Sequence, residues 1–297
     1  MSAVPDPAAP LTATGNLRRR AFVNRLFEGS ATGAALLAVA VLGIVTYSVI
    51  KNGAAAINWE FLTKNPPQFG GGGGGIANAV IGTAIITVLA TAIAMPIAVL
   101  VALYLSEFGG QRAARAIRLV LDLLNGIPTV VVSLFVFGLL VAGHEQSGFA
   151  VSLALAVIML PLIARATQEV LVLVPQSLRD AADALGVARR RTVLGVVLPA
   201  AMGGIVTATV LAAARAAGET APALFLSSIY NPGQTQLNPF GHPVPNVPVL
   251  IFTLSEQADP EGFTRAWGAA LVLLAVILIA NIGARALLAR SRSKMGA

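Results

Sequence analysis

Residues Asp180 to Pro199 read DAADALGVARRRTVLGVVLP, a polar, arginine-bearing stretch set between two long apolar segments, with Gly and Pro at fixed distances. Just upstream, Pro175 ends an apolar segment. Ser177 followed three residues later by Asp180 has capping-box spacing, so a new helix is expected to start there. Asp180, Ala181, Ala182 and Ala184 give that helix an almost bare face, and Gly186 supplies a left-handed residue that stops it. Small side chains let another protein's groove come close. On capping and composition alone, the stretch fits either an ordinary capped loop helix or a docking element.

The surrounding composition is that of a membrane protein. Of 297 residues, 56% are hydrophobic and 11% charged, whereas soluble domains carry about 25% charged residues. Apolar runs lie at roughly 31–50, 77–105, 117–142, 149–174, 201–230 and 266–289, each near or above the ~20 residues that cross ~30 Å of hydrocarbon. An all-α integral membrane protein with a six-helix bundle is therefore expected. Pro96, Pro128, Pro161 and Pro222 lie inside these runs and are expected to kink them without breaking them. The expected division is a tail and basic interfacial helix over 1–29, a six-helix transmembrane bundle over 30–290 with the polar helix at about 176–199, and a tail over 291–297.

The net charge of +7 has a topological explanation. Arg18, Arg19, Arg20, Arg25, Arg112, Arg115, Arg118, Arg179, Arg189, Arg190, Arg191, Arg285, Arg290, Arg292 and Lys294 fall on one side of the predicted spans. Only Lys51, Lys64 and Arg265 fall on the other, which predicts both termini and the Asp180 loop in the cytoplasm. Basic residues do not interleave with aromatic ones, so nucleic acid is not an expected partner. Leu17, Val23, Leu26 and Phe27 alternate with arginines as in a helix lying on a lipid surface, although the same charges serve equally to fix orientation. Met1 to Gly15 are expected to be disordered, and the first span is expected to be retained. Neither a disulfide nor a thiolate metal site can form without cysteine, and His144 and His242 have no second ligand at metal spacing. Gly70 to Gly75 read as a flexible connector, and 231–262 as a long external loop.

Ionisable residues inside predicted spans cost at least about 2.5–3.5 kcal/mol at a helix centre and commonly serve function. Arg165, Glu169, Arg215 and Glu219 are of this kind. Each Arg precedes its Glu by four residues, so on a helix each pair is expected to share a face. They fit structural ion pairs that pin helices, or an anion path, since guanidinium offers planar bidentate donors to oxyanions.

Two resemblances extend this reading. Asp180-Ala181-Ala182, Gly186, Val196, Leu198 and Pro199 reproduce the spacing of the EAA signature of ABC-importer permeases, with Asp for Glu and Val for Ile. That resemblance implies the type I importer permease fold and a coupling helix seated in a cytoplasmic ATPase, with Asp180, Ala181, Ala182, Gly186, Leu198 and Pro199 as coupling residues. The run from Ala214 to Pro222, ARAAGETAP, resembles the PstA-type subunits of phosphate-specific importers. Supporting matches are Gly75 to Ala79, Gly82-Thr83, Asn125 to Pro128, and Arg165 to Thr167 with Glu169. Gln168 departs from the pattern, in which another acid is expected. The resemblance implies that Arg165, Arg215 and Glu219 act in phosphate passage.

The chain lacks a GxxxxGK[ST] loop and any catalytic or metal constellation, so it is not read as an enzyme and no cofactor is expected on it. The implied partners are a PstC-type permease, two ATPase subunits holding ATP and Mg, an external phosphate-binding protein and membrane lipid, in the cytoplasmic membrane of a prokaryote. A permease for phosphonate, sulfate or molybdate is the alternative. A gradient-driven carrier has no need of an ATPase dock, and a scaffold has no need of buried arginines.

Overall fold

The computed structural model describes residues 16–67, 73–229, 231–257 and 259–295. The expectation for Met1 to Gly15 lies outside the described residues, as do Gly70 to Gly72 and the side chains of Arg290, Arg292 and Lys294. Among the described residues all regular structure is helical. The chain forms two compact units, residues 1–51 and 52–297.

The first unit carries most of helix α1 (Asn16–Gly53), whose side chains are almost all exposed. It is one uninterrupted helix of 38 residues, about 57 Å long at 1.5 Å per residue. No break separates the basic segment from the first span. Ser30 and Thr32, which might have capped a new helix, instead donate back to the carbonyls of Phe27 (2.9 Å) and Glu28 (2.8 Å) and stay within the helix.

The second unit begins with α2 (Trp59–Thr63), capped by Asn58, whose Oδ1 accepts from Phe61 N at 2.8 Å. The exposed Glu60 lies below its usual carboxyl range because Lys64 Nζ donates to it and adds its charge. The end of the glycine run is packed, contrary to the connector reading. Gly75 N donates to Asn65 O at 3.1 Å, and a side chain at Gly75 would meet Phe61 O at 2.3 Å.

Helix α3 (Ala77–Leu103) runs into a π turn, Tyr104–Phe108. It is followed by α4 (Gln111–Gly126), then α5 (Thr129–Val136) with a π turn at Phe137–Val141, then α6 (Gly148–Val172). Next come α7 (Gln176–Ala184) and the short α8 (Arg189–Thr192), which passes through a third π turn, Val193–Val197, into α9 (Leu198–Ala216). Helices α10 (Thr220–Leu226), α11 (Val247–Glu256) and α12 (Pro260–Met295) complete the chain.

Among the described residues, five helical stretches are long and apolar enough to cross a membrane, and a sixth span is added if α4 and α5 count as one. Those two are bent by 98°, so the run at 117–142 is not a kinked span. Pro128 forces its predecessor out of the helical region, and Ile127 (ψ 129°) and Pro128 (ψ 136°) are both extended. The run at 201–230 is also broken. Pro222 would clash with the carbonyl four residues back, at Gly218, and the helix stops at Ala216, with Glu219 extended (ψ 121°) before α10. Pro96 and Pro161 stay inside continuous helices, as expected.

Packing depends on small residues, since lipid supplies no hydrophobic drive between helices. Ala90, Ala94, Ala98 and Ala102 recur every fourth residue of α3 and are fully buried. The first three share a core with Ala150, Ala154 and Ile163 of α6, which has its most extensive contact with α3. Helix α9 packs on α6 and α12, and α11 on α12. Gly204 of α9 lies against Val170 of α6, where an added Cβ would come within 2.5 Å of the valine.

The expected long loop contains α11, whose start has an N-cap, Asn246 Oδ1 accepting from Val249 N at 3.0 Å, and a proline in the first turn, Pro248. The rest of the loop is anchored. The buried Asn78 Nδ2 donates to Pro232 O (2.6 Å) and Gln234 O (3.1 Å). Ser227 Oγ bonds both the amide and the carbonyl of Val244, at 2.7 and 2.9 Å. Thr83 Oγ1 accepts from Val247 N at 2.9 Å.

Candidate functional site

An open cleft of about 880 Å³ lies between α6 and α9, with the start of α7 at one end. Its lining is mostly apolar and small, including Ala166, Gly204, Thr207 and Pro199, and two charged side chains enter it, Glu169 from α6 and Arg215 from α9. Both residues are exposed. The structure therefore brings Glu169 and Arg215 to one cleft, although 46 positions separate them in sequence.

The pairings expected from four-residue spacing do not form. Arg165 is bonded to Asp122 of α4, with side chains 44% and 62% exposed. Glu169 points to the cleft instead. Arg215 lies in the last turn of α9, and the helix ends before Glu219, so the four-residue interval no longer defines a shared face. Glu219 instead lines a small separate pocket with Thr83, Thr87 and Asn246.

Asp122 was overlooked in the sequence although it is an acid inside the apolar run at 117–142, so the rule that singled out Arg165 also applies to it. Glu107 was overlooked as well. It lies in the π turn after α3 with its side chain 4% exposed, and two arginines contact it. An acid amid arginine-rich flanks was the available signal.

The stretch from Asp180 forms the expected short helix, with a different start. Helix α7 begins at Gln176 after Pro175, without a side-chain cap. Ser177 thus sits inside the first turn, and Asp180 Oδ1 accepts from Gln176 Nε2 at 3.1 Å instead of completing a capping box. Proline's fixed φ and missing donor suit the residue before a helix, which makes the box unnecessary. Gly186 has φ +67° and ends the helix as expected, with its amide bonded to Asp183 O and that of Val187 to Ala182 O. Ala182 faces inward while Asp180, Ala181, Asp183, Ala184 and Leu185 are exposed, which leaves a nearly bare outer surface. Leu198 and Pro199 open α9, and Pro199 also lines the cleft, so the outer surface and the cleft are separated by one short connection.

Residues 94–293 match the family described as "Binding-protein-dependent transport system inner membrane component". Among similar proteins, the phosphate transport system permease protein PstA 1 of Mycobacterium tuberculosis (strain CDC 1551 / Oshkosh) is 40% identical over 74% of this chain and 71% of its own length. The phosphate transport system permease protein PstA of Xylella fastidiosa (strain Temecula1 / ATCC 700964) is 34% identical over 93% of this chain and 96% of its own. In fold, the chain is similar to an inward-facing structure of the MetNI methionine ABC transporter, with a TM-score of 0.55 and 16% identity over 73% of this chain and 94% of that one. With its helical bundle, its short helix after α6 closed by Gly186 and its match over two thirds of its length, the chain belongs to the family of binding-protein-dependent transport system inner membrane components.

Proposed function

We propose that this chain is the membrane-spanning permease subunit of an ATP-driven importer that carries inorganic phosphate across the cytoplasmic (inner) membrane of a prokaryote. The observation that carries the reading is the charged face of an otherwise apolar bundle, where Glu169 and Arg215 line an open cleft and Arg165 and Asp122 are exposed beside α4 and α6. Leaving such groups against hydrocarbon costs at least about 2.5–3.5 kcal/mol each near the centre. A second bundle covering that face removes the cost and turns the cleft into half of a polar passage. A PstC-type permease is the proposed second bundle, and the relatives' names support phosphate as the cargo.

Guanidinium at Arg215 and Arg165 suits an oxyanion through bidentate donors. Acids beside them suit hydrogen phosphate, whose P–OH donates to a carboxylate, over sulfate, which has no proton to give at neutral pH. Helix α7, with Asp180, Ala181, Ala182 and Gly186, is the dock for one of two cytoplasmic ATPase subunits. These subunits hold ATP and Mg, and this chain holds no cofactor. Both termini lie in the cytoplasm, and an external binding protein delivers phosphate to the opposite side. ATP binding moves α7, and the bundle pair exchanges inward- for outward-facing packing.

The test is ATP-dependent uptake of radiolabelled phosphate into proteoliposomes containing the whole complex, comparing wild type with Arg215→Gln at equal assembly. Loss of uptake with docking retained is expected. Unchanged uptake reduces Arg215 to a helix-pinning charge, and wild-type uptake of another oxyanion in place of phosphate overturns the substrate.

A further inference from the structure

Away from the cleft, a largely buried ionic cluster lies where α7 meets the bundle. Glu107 occupies the π turn that ends α3, with its side chain 4% exposed. Its Oε1 accepts from Arg179 Nη2 at 2.9 Å and from Nε at 3.3 Å, and Arg189 Nη2 lies 3.5 Å from Oε2. Arg179, in the first turns of α7, is only 16% exposed and uses its remaining donors on backbone. Nη1 donates to Val174 O at 2.7 Å and Nη2 to Leu171 O at 3.1 Å.

Leu171 lies in the last turn of α6 and Val174 two residues past its end; Leu171 O also accepts from Val174 N at 3.3 Å. One guanidinium thus joins two carbonyls at the end of α6 to a buried carboxylate. Three bodies meet at it: the end of α3, the end of α6, and α7. Lysine, a single point of donors without the planar fork, cannot reproduce this. A buried pair adds little net stability over a packed apolar contact, whereas losing one partner is expensive, so cohesion alone does not explain it.

We infer that Glu107 and Arg179 are positioning residues that make α7 and the end of α3 move as one body, so that a push on α7 reaches the Glu169–Arg215 cleft through the α3–α6 contact. The inference rests on the proposed importer function. With the joint intact, rearrangement of α7 displaces α3 and, through the alanine stripe, α6. With it opened, α7 keeps the Val174–Gln176 connection, its contacts with α8 and the third π turn, and the Arg179 bonds to the carbonyls of Leu171 and Val174, but loses its tie to α3, so its motion no longer carries α3 with it.

The test uses the full complex with cysteine-free variants of its partner subunits; this chain itself has no cysteine, so only the introduced positions carry labels. Ser106→Cys and Ser177→Cys place labels on two exposed positions, one in the π turn and one on α7. In the otherwise wild-type chain, one narrow distance is expected, unchanged between nucleotide-free and ATP-bound states. A distance that changes between those states overturns the inference, and this arm needs no variant of the joint.

Glu107→Gln, which keeps the shape and removes the charge, is expected to retain ATP hydrolysis while transport per ATP falls about 5- to 150-fold, the range usual for coupled sites, and the label distance becomes nucleotide-dependent. Wild-type stoichiometry in assembled Glu107→Gln complexes also overturns it. Because the distances and ATP hydrolysis do not depend on which anion is carried, a wrong substrate is distinguishable from a failed joint.

Discussion

Replacing Gly82 by alanine tests a close approach of α3 to the backbone of Pro245. An added Cβ would lie 1.8 Å from Pro245 O, 2.7 Å from Val244 Cγ1 and 3.0 Å from Pro245 C. A carbon sits comfortably about 3.3 Å from a carbonyl oxygen, so α3 and the 244–246 segment must separate by roughly 1.5 Å. The segment cannot yield alone. Both backbone groups of Val244 are held by Ser227 Oγ, and Asn246 Nδ2 donates to Ser227 O at 3.2 Å. If α3 retreats instead, Thr83 Oγ1 leaves Val247 N, now at 2.9 Å, and the amide loses its acceptor. Overpacking costs about 1–3 kcal/mol and a stranded buried donor another 1–3, which gives a destabilisation of about 2–6 kcal/mol. The assay is unfolding in mixed micelles by increasing mole fraction of a denaturing detergent. Gly138→Ala is the control, because its Cβ meets nothing within 4 Å, and it should stay within about 0.5 kcal/mol of wild type. Gly82→Ala within that same margin would refute the reasoning.

Other substitutions separate conformation, anchoring and chemistry. Gly186 has open space around its missing Cβ and φ +67°, so Gly186→Ala suffers only from backbone handedness, about 1–2 kcal/mol. ATPase binding should weaken about 5- to 30-fold, while Gly186→Asn is milder, as titrating ATPase into nanodiscs holding the permease pair will show. Asn78→Ala strands the carbonyls of Pro232 and Gln234 and should lower stability by about 1–3 kcal/mol, with faster hydrogen exchange confined to 231–246. Glu169→Gln removes the carboxylate that shares the cleft with Arg215, the proposed acceptor for a P–OH, and should lower phosphate uptake and shrink preference over sulfate by about 5- to 150-fold, matching a penalty of roughly 1–3 kcal/mol. Competition uptake measures it, and an unchanged preference would sink the idea.

The spans were legible where a long apolar run was also a continuous helix. The run at 77–105 became α3 nearly to the residue, and the left-handed stop at Gly186 could be read directly. The runs at 117–142 and 201–230 misled because hydropathy carries no information about direction. Ile127-Pro128 and Gly218-Glu219 are as tolerable in an apolar stretch as Pro96 and Pro161 are, and only neighbours determine whether the chain bends there or continues. Helix α11 was hidden by proline density, although Asn246 followed by Pro248 is a helix-start signal. At the site, spacing placed Arg165 with Glu169 and Arg215 with Glu219, whereas tertiary packing placed Arg165 with Asp122 and put Glu169 and Arg215 on the walls of one cleft. Spacing predicts partners only within one helix, and each of these charges looks away from its own.

The three π turns, at Tyr104–Phe108, Phe137–Val141 and Val193–Val197, each hold one residue more than an α-helical path needs. A single-residue deletion inside such a turn can heal into uninterrupted helix, so these are places where a lineage can shed a residue without breaking a helix. The first turn is the exception. Removing a residue before Glu107 would swing its carboxylate by about 100°, one residue's rotation at 3.6 per turn, away from Arg179. Heredity should therefore treat the three alike in shape but unequally in length, conserving the insertion after α3 while letting the others come and go.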